Sequence, residues 1–260
     1  MDHHSNLLEC DVHLTKDGKV VIAHDLDLER LCGVGEHIAD TNYDDFPPMM
    51  RSIPLHFSDV EYALKSEEDG KFTLLRDLFE VAPDRLISID LKADSDVLKL
   101  KVSDLIKEFK RESITIWGSV KPKHHTRIRE VNPDVPQFYS AAQTLLVYAL
   151  YYLGLIFLYP LPSDAFMVPI MTKHKVRLFG KILKNRGSSF FVKMLFLVVV
   201  AMVRNSRGLY RHLRARGVLV VLWVANEDEE FWEAAEMFGA DIDGIMTDRP
   251  QALWECVIHG

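Results

Sequence analysis

Hydrophobic and polar residues alternate strictly near the start of the chain, where Leu8, Cys10, Val12 and Leu14 interleave with Glu9, Asp11 and His13. A period of two predicts a strand with one apolar face and one face carrying both carboxylates. The same pattern recurs as Ile87, Ile89 and Leu91 against Ser88, Asp90 and Lys92. Asp17-Gly18 predicts a turn after the first strand, and the run Val20-Val21-Ile22-Ala23 then leads back to His24. Residues 25–71 are polar and broken by Pro47, Pro48, Pro54 and Gly70, which predicts an irregular insertion with one or two short helices. Beyond it the period lengthens. Helices are expected over residues 72–80, 97–111 and 123–130, with short strands at 114–117 and 137–140.

The rhythm breaks at residues 145–159, fifteen positions without a charge, rich in Leu, Tyr and Phe and closed by Pro160 and Pro162. Spanning a bilayer takes about 20 apolar residues, so this stretch is short for a membrane span. A buried helix and an interfacial one both fit its composition. A strand follows at 165–170, then a basic run over 173–186 and an apolar core over 194–203 flanked by Lys193 and Arg204. Alternation resumes with a buried strand at 218–225, a loop over 226–229, a helix at 231–238, a last strand at 244–248 and a closing helix opened by Arg249-Pro250. Seven candidate strands, near residues 8, 88, 115, 138, 167, 221 and 245, are separated mostly by helices. That order predicts parallel strands with helical crossovers, best matched by a (β/α)₈ barrel with one strand missing.

Composition narrows the class. Nearly half the 260 residues are hydrophobic and Gly and Pro are ordinary, which excludes disordered and collagen-like chains. Three cysteines, Cys10, Cys32 and Cys256, have no metal spacing and imply no disulfide framework. The first residues lack a basic region followed by an apolar one, so no cleavable signal peptide is expected. The net charge of −7 conceals an asymmetry: residues 165–225 hold twelve Lys or Arg and no Asp or Glu. Such a stretch in an otherwise acidic chain is expected to meet an anionic partner. For its second half, residues 204–216, a solvated basic face over a buried helix is the plainer expectation.

Carboxylates set side by side away from the packing face are costly unless a cation sits between them. Glu9 and Asp11, with His24 returned towards them by the turn, therefore read as a metal-holding pair with an acid/base beside it. An edge strand with a solvated acidic face explains the same eight residues. Asp90 and Lys92 read either as an addition to that site or as a surface ion pair.

The motif Glu9-x-Asp11 followed by Val-Ile-Ala-His24-Asp25, then Ile89-Asp90-Leu91-Lys92, Leu222-Trp223-Val224-Ala225-Asn226 and Gly244-Ile245-Met246-Thr247-Asp248-Arg249-Pro250, resembles the glycerophosphodiester phosphodiesterase family. The motifs fall in the family's order and cover nearly the whole chain. The long apolar and basic middle is similar to the animal membrane-associated branch that acts as lysophospholipase D. The resemblance implies a TIM (β/α)₈ barrel of the PLC-like phosphodiesterase type, a divalent cation (Mg²⁺ or Ca²⁺), and hydrolysis of glycerophosphodiesters or lysophospholipids with release of an alcohol headgroup. It implies metal ligation by Glu9, Asp11 and Asp90, catalytic roles for His24 and Lys92, and substrate contact by Trp223 at the mouth of a late strand. It further implies an anionic membrane surface as partner, at the endoplasmic reticulum or another intracellular membrane, no nucleic acid, and a membrane-facing region over residues 145–216.

Two departures accompany the resemblance. Asp90 stands where the family has a Glu one methylene longer. The family's His-Arg-Gly and Glu-Asn-Thr motifs occur nowhere in the 260 residues. The expectation is thus one phosphodiesterase domain over residues 1–260, N-terminally incomplete and lacking its first strand. A catalytically impaired lipid-binding relative, or a partial gene model of the enzyme, stands as the alternative.

Overall fold

In the computed structural model, which describes residues 5–54, 61–66, 70–185 and 187–259, the opening alternation forms strand β1 (Leu7–Leu14). The turn at Gly18, where φ is +77°, returns the chain as β2 (Val20–Ile22). Glycine carries that left-handed conformation without the Cβ clash another residue would suffer. Thr15 braces the turn: its Oγ1 donates to Asp17 Oδ1 at 2.6 Å and accepts from the Lys19 amide at 2.9 Å. The pair is antiparallel, with Val12 opposite Ile22 and Leu14 opposite Val20.

The chain divides into two compact units, Asn6–Ala141 and Ala142–Gly260. In the first, the sheet order is β2-β1-β5-β6, where β5 is Leu86–Leu91 and β6 is Thr115–Gly118. Both β1–β5 and β5–β6 are parallel. Cys10 and Val12 of β1, Ile87, Ile89 and Leu91 of β5 and Trp117 of β6 pack in one core with helices α2 (Leu75–Val81) and α3 (Asp96–Glu108). Burying each large apolar side chain contributes about 1.5–3 kcal/mol. A slip of one residue would turn this whole set outward, so the core fixes the register. The opposite, polar face of both strands is thereby fixed too.

The insertion holds helix α1 (Glu29–Cys32), 3₁₀ turns at Ile38–Asp40 and Tyr43–Asp45, and a hairpin of β3 (Ser52–Pro54) with β4 (Glu61–Ala63). The hairpin was not expected, because its residues carry almost no buried apolar pattern. Leu28, Ile38 and Phe72 close a small second core over Val21 and Ala23, with Phe46 set edge-on to Phe72 at 4.9 Å. The single helix expected over 123–130 is two short ones, α4 (Pro122–His125) and α5 (Ile128–Val131), parted at Arg127 with φ of +69°. Ile128 and Val131 are drawn onto the core, while the polar turn before them has no apolar face to pack. The strand expected at 137–140 is reduced to a parallel bridge between Gln137 and Trp117.

The second unit is built on the parallel sheet β7-β8-β9, formed by Ala165–Pro169, Leu219–Trp223 and Gly244–Ile245. Its helices are α6 (Ala141–Tyr152), α7 (Lys173–Asn185), α8 (Phe190–Arg204), α9 (Arg207–Ala215), α10 (Asp228–Phe238) and α11 (Pro250–His259). The uncharged stretch over 145–159 is thus a helix that stops at Tyr152, followed by a turn through Gly154 at φ +70°. Tyr148, Phe166, Tyr210 and Phe238 form a chain of ring contacts, with 2.9 Å between the Tyr148 and Tyr210 hydroxyls. Glu230 is fully buried and accepts from Thr172 Oγ1 and the Asn226 amide, with Lys175 Nζ at 3.8 Å. Asn226 in turn donates to Asp248 and accepts from the Asp248 amide, which ties the loop after β8 to the one after β9.

The βα alternation is of the TIM-barrel type. Among the described residues its strands form separate sheets of four and three, with neither closing on itself. The expectation of a (β/α)₈ barrel lacking its first strand is met at the level of this fold type, without closure of the described strands into a ring.

Candidate active site

The polar face of the first unit gathers Asp11, Asp90 and Lys92. Asp11 and Asp90 are direct partners across the parallel β1–β5 pair, so their side chains leave the sheet at the same level. Lys92 follows β5, its amide bonded to the Val12 carbonyl at 3.2 Å. Its Nζ lies 2.7 Å from Asp11 Oδ1 and 2.7 Å from Asp90 Oδ2. All three side chains are largely withdrawn from solvent. Burial raises the pKa of Asp11, which Lys92 partly offsets and the Asp90 charge reinforces. Burial acts to lower the pKa of Lys92, but Asp90 and Asp11 outweigh it and hold the ammonium charged above its ordinary range.

His24 is delivered by the hairpin. The Ala23 amide donates to the Asp11 carbonyl at 2.9 Å, so the next residue lies alongside the carboxylate level. The His24 Nδ1 is 2.9 Å from Asp25 Oδ1, and Arg30 Nε donates to the other Asp25 oxygen at 2.5 Å. A carboxylate at Nδ1 fixes that nitrogen as the proton-bearing one and leaves Nε2 for chemistry. The His24 ring is 44 % exposed, as a group that meets substrate must be.

Glu9 is exposed on the same face of β1, opposite Ser88 and two residues from Asp11, roughly 6.6 Å along the strand. Among the described residues no three His, Cys, Asp or Glu side chains are gathered as a metal-binding group. The donor chemistry nonetheless fits a hard cation. Asp90 Oδ1 is buried without a hydrogen-bond partner, an acceptor that a cation would satisfy. The other oxygen of Asp90, and one of Asp11, serve Lys92. Trp223 ends β8 in the second unit, half-buried, its carbonyl accepting from the Ile170 amide at 2.7 Å.

One residue on this face had no role in the sequence reading. His13 continues the Glu9, Asp11 series and is 3 % exposed, with Nε2 3.5 Å from the His24 carbonyl. Its place in the period of two was the available signal. Burial lowers its pKa from 6.5 to about 4, helped by the nearby charge of Lys92 and opposed by the His24 carbonyl, so the imidazole is neutral at pH 7. Unfolded chains take up this proton below pH about 6.5, whereas the folded protein resists it until about 4. Stability therefore falls as pH falls through that window, by up to about 3 kcal/mol. Urea midpoints measured against pH should drop further for the native chain than for His13→Gln between pH 6.5 and 4. Parallel curves would show that His13 is not the group responsible. A cleft of about 390 Å³ opens beside His13, lined also by Leu14, Leu26, His37, Ala93 and Ser95.

Residues 1–252 match the glycerophosphoryl diester phosphodiesterase family. The chain is 34 % identical over 252 residues to the lysophospholipase D GDPD1 of Rattus norvegicus, covering 96 % of this chain and 76 % of that protein. It is 32 % identical over 255 residues to the human lysophospholipase D GDPD3, with 97 % and 76 % covered. A glycerophosphodiester phosphodiesterase from Thermotoga maritima superposes with a TM-score of 0.59 at 22 % identity, covering 98 % of this chain and 86 % of that one. An Oleispira antarctica phosphodiesterase, solved in complex with the product sn-glycerol-3-phosphate, gives 0.59 at 15 % identity with the same coverage. These two likenesses bear on the fold, and the sequence match spans both units and every motif quoted above. The chain belongs to the glycerophosphoryl diester phosphodiesterase family, a family of phosphoric diester hydrolases.

Proposed function

We propose that this chain hydrolyses the headgroup ester of lysophospholipids or glycerophosphodiesters, in the manner named for its lysophospholipase D relatives. The observation that supports this reading best is the Asp11–Lys92–Asp90 cluster with His24 alongside. Water adds to phosphorus and gives up one proton to solvent, the bond from phosphorus to the headgroup oxygen breaks, and the departing alkoxide takes up one proton. His24, held through Nδ1 by Asp25, donates that proton from Nε2. Lys92 carries a fixed positive charge where a phosphoryl oxygen gains negative charge. Asp11, Asp90 and Glu9 would hold the divalent cation, which when bound polarises the phosphoryl oxygens and offsets their charge. The cleft beside His13, with Leu14, Leu26 and Ala93 in its wall, suits the less polar part of the substrate. Among the residues quoted, the acid role falls to His24. The lysophospholipid form of the substrate places the reaction at a membrane surface.

The test is product analysis. Purified chain given lysophosphatidylcholine and Mg²⁺ or Ca²⁺ should release choline and leave lysophosphatidic acid, and chelation of the cation should abolish the release. Phosphocholine as the product would mean cleavage on the other side of phosphorus and would overturn the reading.

A further inference from the structure

The second unit carries an apolar helix that its own core leaves uncovered. Helix α8 buries only Val200 and Val203, near its C-terminal end, where Arg204 anchors it to Glu233 at 2.7 Å. Phe196, half-buried, meets Phe179 of α7 with ring centroids 6.3 Å apart. Phe196, Val200 and Val203 thus form the inner stripe at helical spacing. On the rest of the helix Phe190 is 80 % exposed and Phe191 74 %, and Met194, Leu195, Leu197 and Val198 are exposed as well. So many large apolar side chains in water on one helix mark a contact surface.

The charges around it say what it contacts. Of the basic residues over 165–225, Arg207 and Arg211 are paired with Asp241, Arg214 with Asp243, Arg204 with Glu233 and Lys175 with Glu230. The arginines of α9 therefore have acidic partners within the fold. The exposed cations on the helix pair itself include Lys181 and Lys184 of α7 and Lys193 of α8, and neither helix contains an acid. A second copy of the same face would set lysine against lysine.

The length excludes crossing. Fifteen helical residues reach about 22 Å, against about 30 Å of hydrocarbon. Among the described residues no helix is long and apolar enough to span a membrane.

We propose that α8, flanked by the lysines of α7, lies in the plane of an anionic phospholipid bilayer with Phe190, Phe191 and Leu195 in the acyl boundary and Lys181, Lys184 and Lys193 among the headgroups. The inference deepens the reading that the substrate is a lipid at a membrane surface, and its test reads binding without turnover. Flotation of the full chain with vesicles of phosphatidylcholine alone, and of phosphatidylcholine with phosphatidylserine, should show binding that favours the anionic vesicles and weakens with salt. Each lysine near such a surface contributes about 1 kcal/mol, so Lys181→Glu with Lys184→Glu and Lys193→Glu should lower binding to the anionic vesicles by at least ~10²-fold. Phe191→Asp with Leu195→Asp should abolish flotation on both vesicles. Both variants alter exposed positions and should keep the circular dichroism of the native chain and its hydrolysis of soluble glycerophosphocholine. Equal binding to the two vesicles, undiminished binding by either variant, or a lipid-free dimer that the Asp variant dissociates and that floats with neither vesicle would each overturn the proposal. Loss of choline release with flotation intact would count against the hydrolytic reading alone.

Discussion

Replacing Lys92 by Met should unfold the first unit more readily by about 3 kcal/mol and lower headgroup release by on the order of 10²–10³-fold. Nζ sits 2.7 Å from one oxygen each of Asp11 and Asp90, and these are register partners on adjacent strands. Without the ammonium, two carboxylates face each other at the same level of a largely buried sheet face, and one Asp90 oxygen already lacks a hydrogen bond. Breaking such a pair is costly because the remaining charge is left buried, more than because the attraction itself was strong. The variant also exposes the relation between lysine and cation. Two uncompensated carboxylates should bind Mg²⁺ or Ca²⁺ more tightly than the native pair, so added cation should raise the unfolding midpoint of Lys92→Met more than that of the native chain. Lys92→Arg should keep most of the stability, since it keeps the charge. A variant as stable as the native chain, with no response to cation, would show that the cluster is not the electrostatic centre of the site.

Much of this centre was legible from two short stretches. The period of two fixed which residues of β1 and β5 face the core, and hence that Glu9, Asp11, Asp90 and Lys92 share the other face. Their register could not be read, because Asp11 meets Asp90 rather than Ser88 only through a pairing across about 80 residues of chain. The same pairing sets Glu9 opposite Ser88, two residues along β1 from Asp11. His13 lay in the alternation but looked like any polar strand residue until the hairpin covered it. The acid-free stretch over 165–225 gave a basic surface, yet Asp241 and Asp243, beyond its end, pair with the arginines of α9. Local charge patterning cannot show an ion pair closed by the fold. The β3–β4 hairpin left no pattern either, since a strand pair that buries little has no reason to alternate.

Replacing His24 by Gln should lower headgroup release by 10²–10⁴-fold while leaving stability nearly unchanged, because the ring is 44 % exposed. The direction follows from where its nitrogens stand. Nδ1 faces Asp25 at 2.9 Å, and Asp25 is itself held by Arg30. That carboxylate orients the ring through Nδ1, so that Nε2, when protonated, is the nitrogen that gives a proton to a departing alkoxide. Asp25→Asn removes this hold without removing the imidazole. It should cost less, roughly 10-fold, because the imidazole stays in place but loses the group that orients it. The assignment of His24 as the acid, rather than as a phosphate contact, is decided by the leaving group. Choline and ethanolamine leave as strongly basic alkoxides that need the proton, whereas p-nitrophenolate leaves unaided near neutral pH. The loss caused by His24→Gln should therefore shrink to ~10-fold or less on a p-nitrophenyl phosphodiester. A phosphate-binding role would predict the same loss on both substrates. Equal losses would remove His24 from the leaving-group side of the reaction and leave the proton to come from another group on this face.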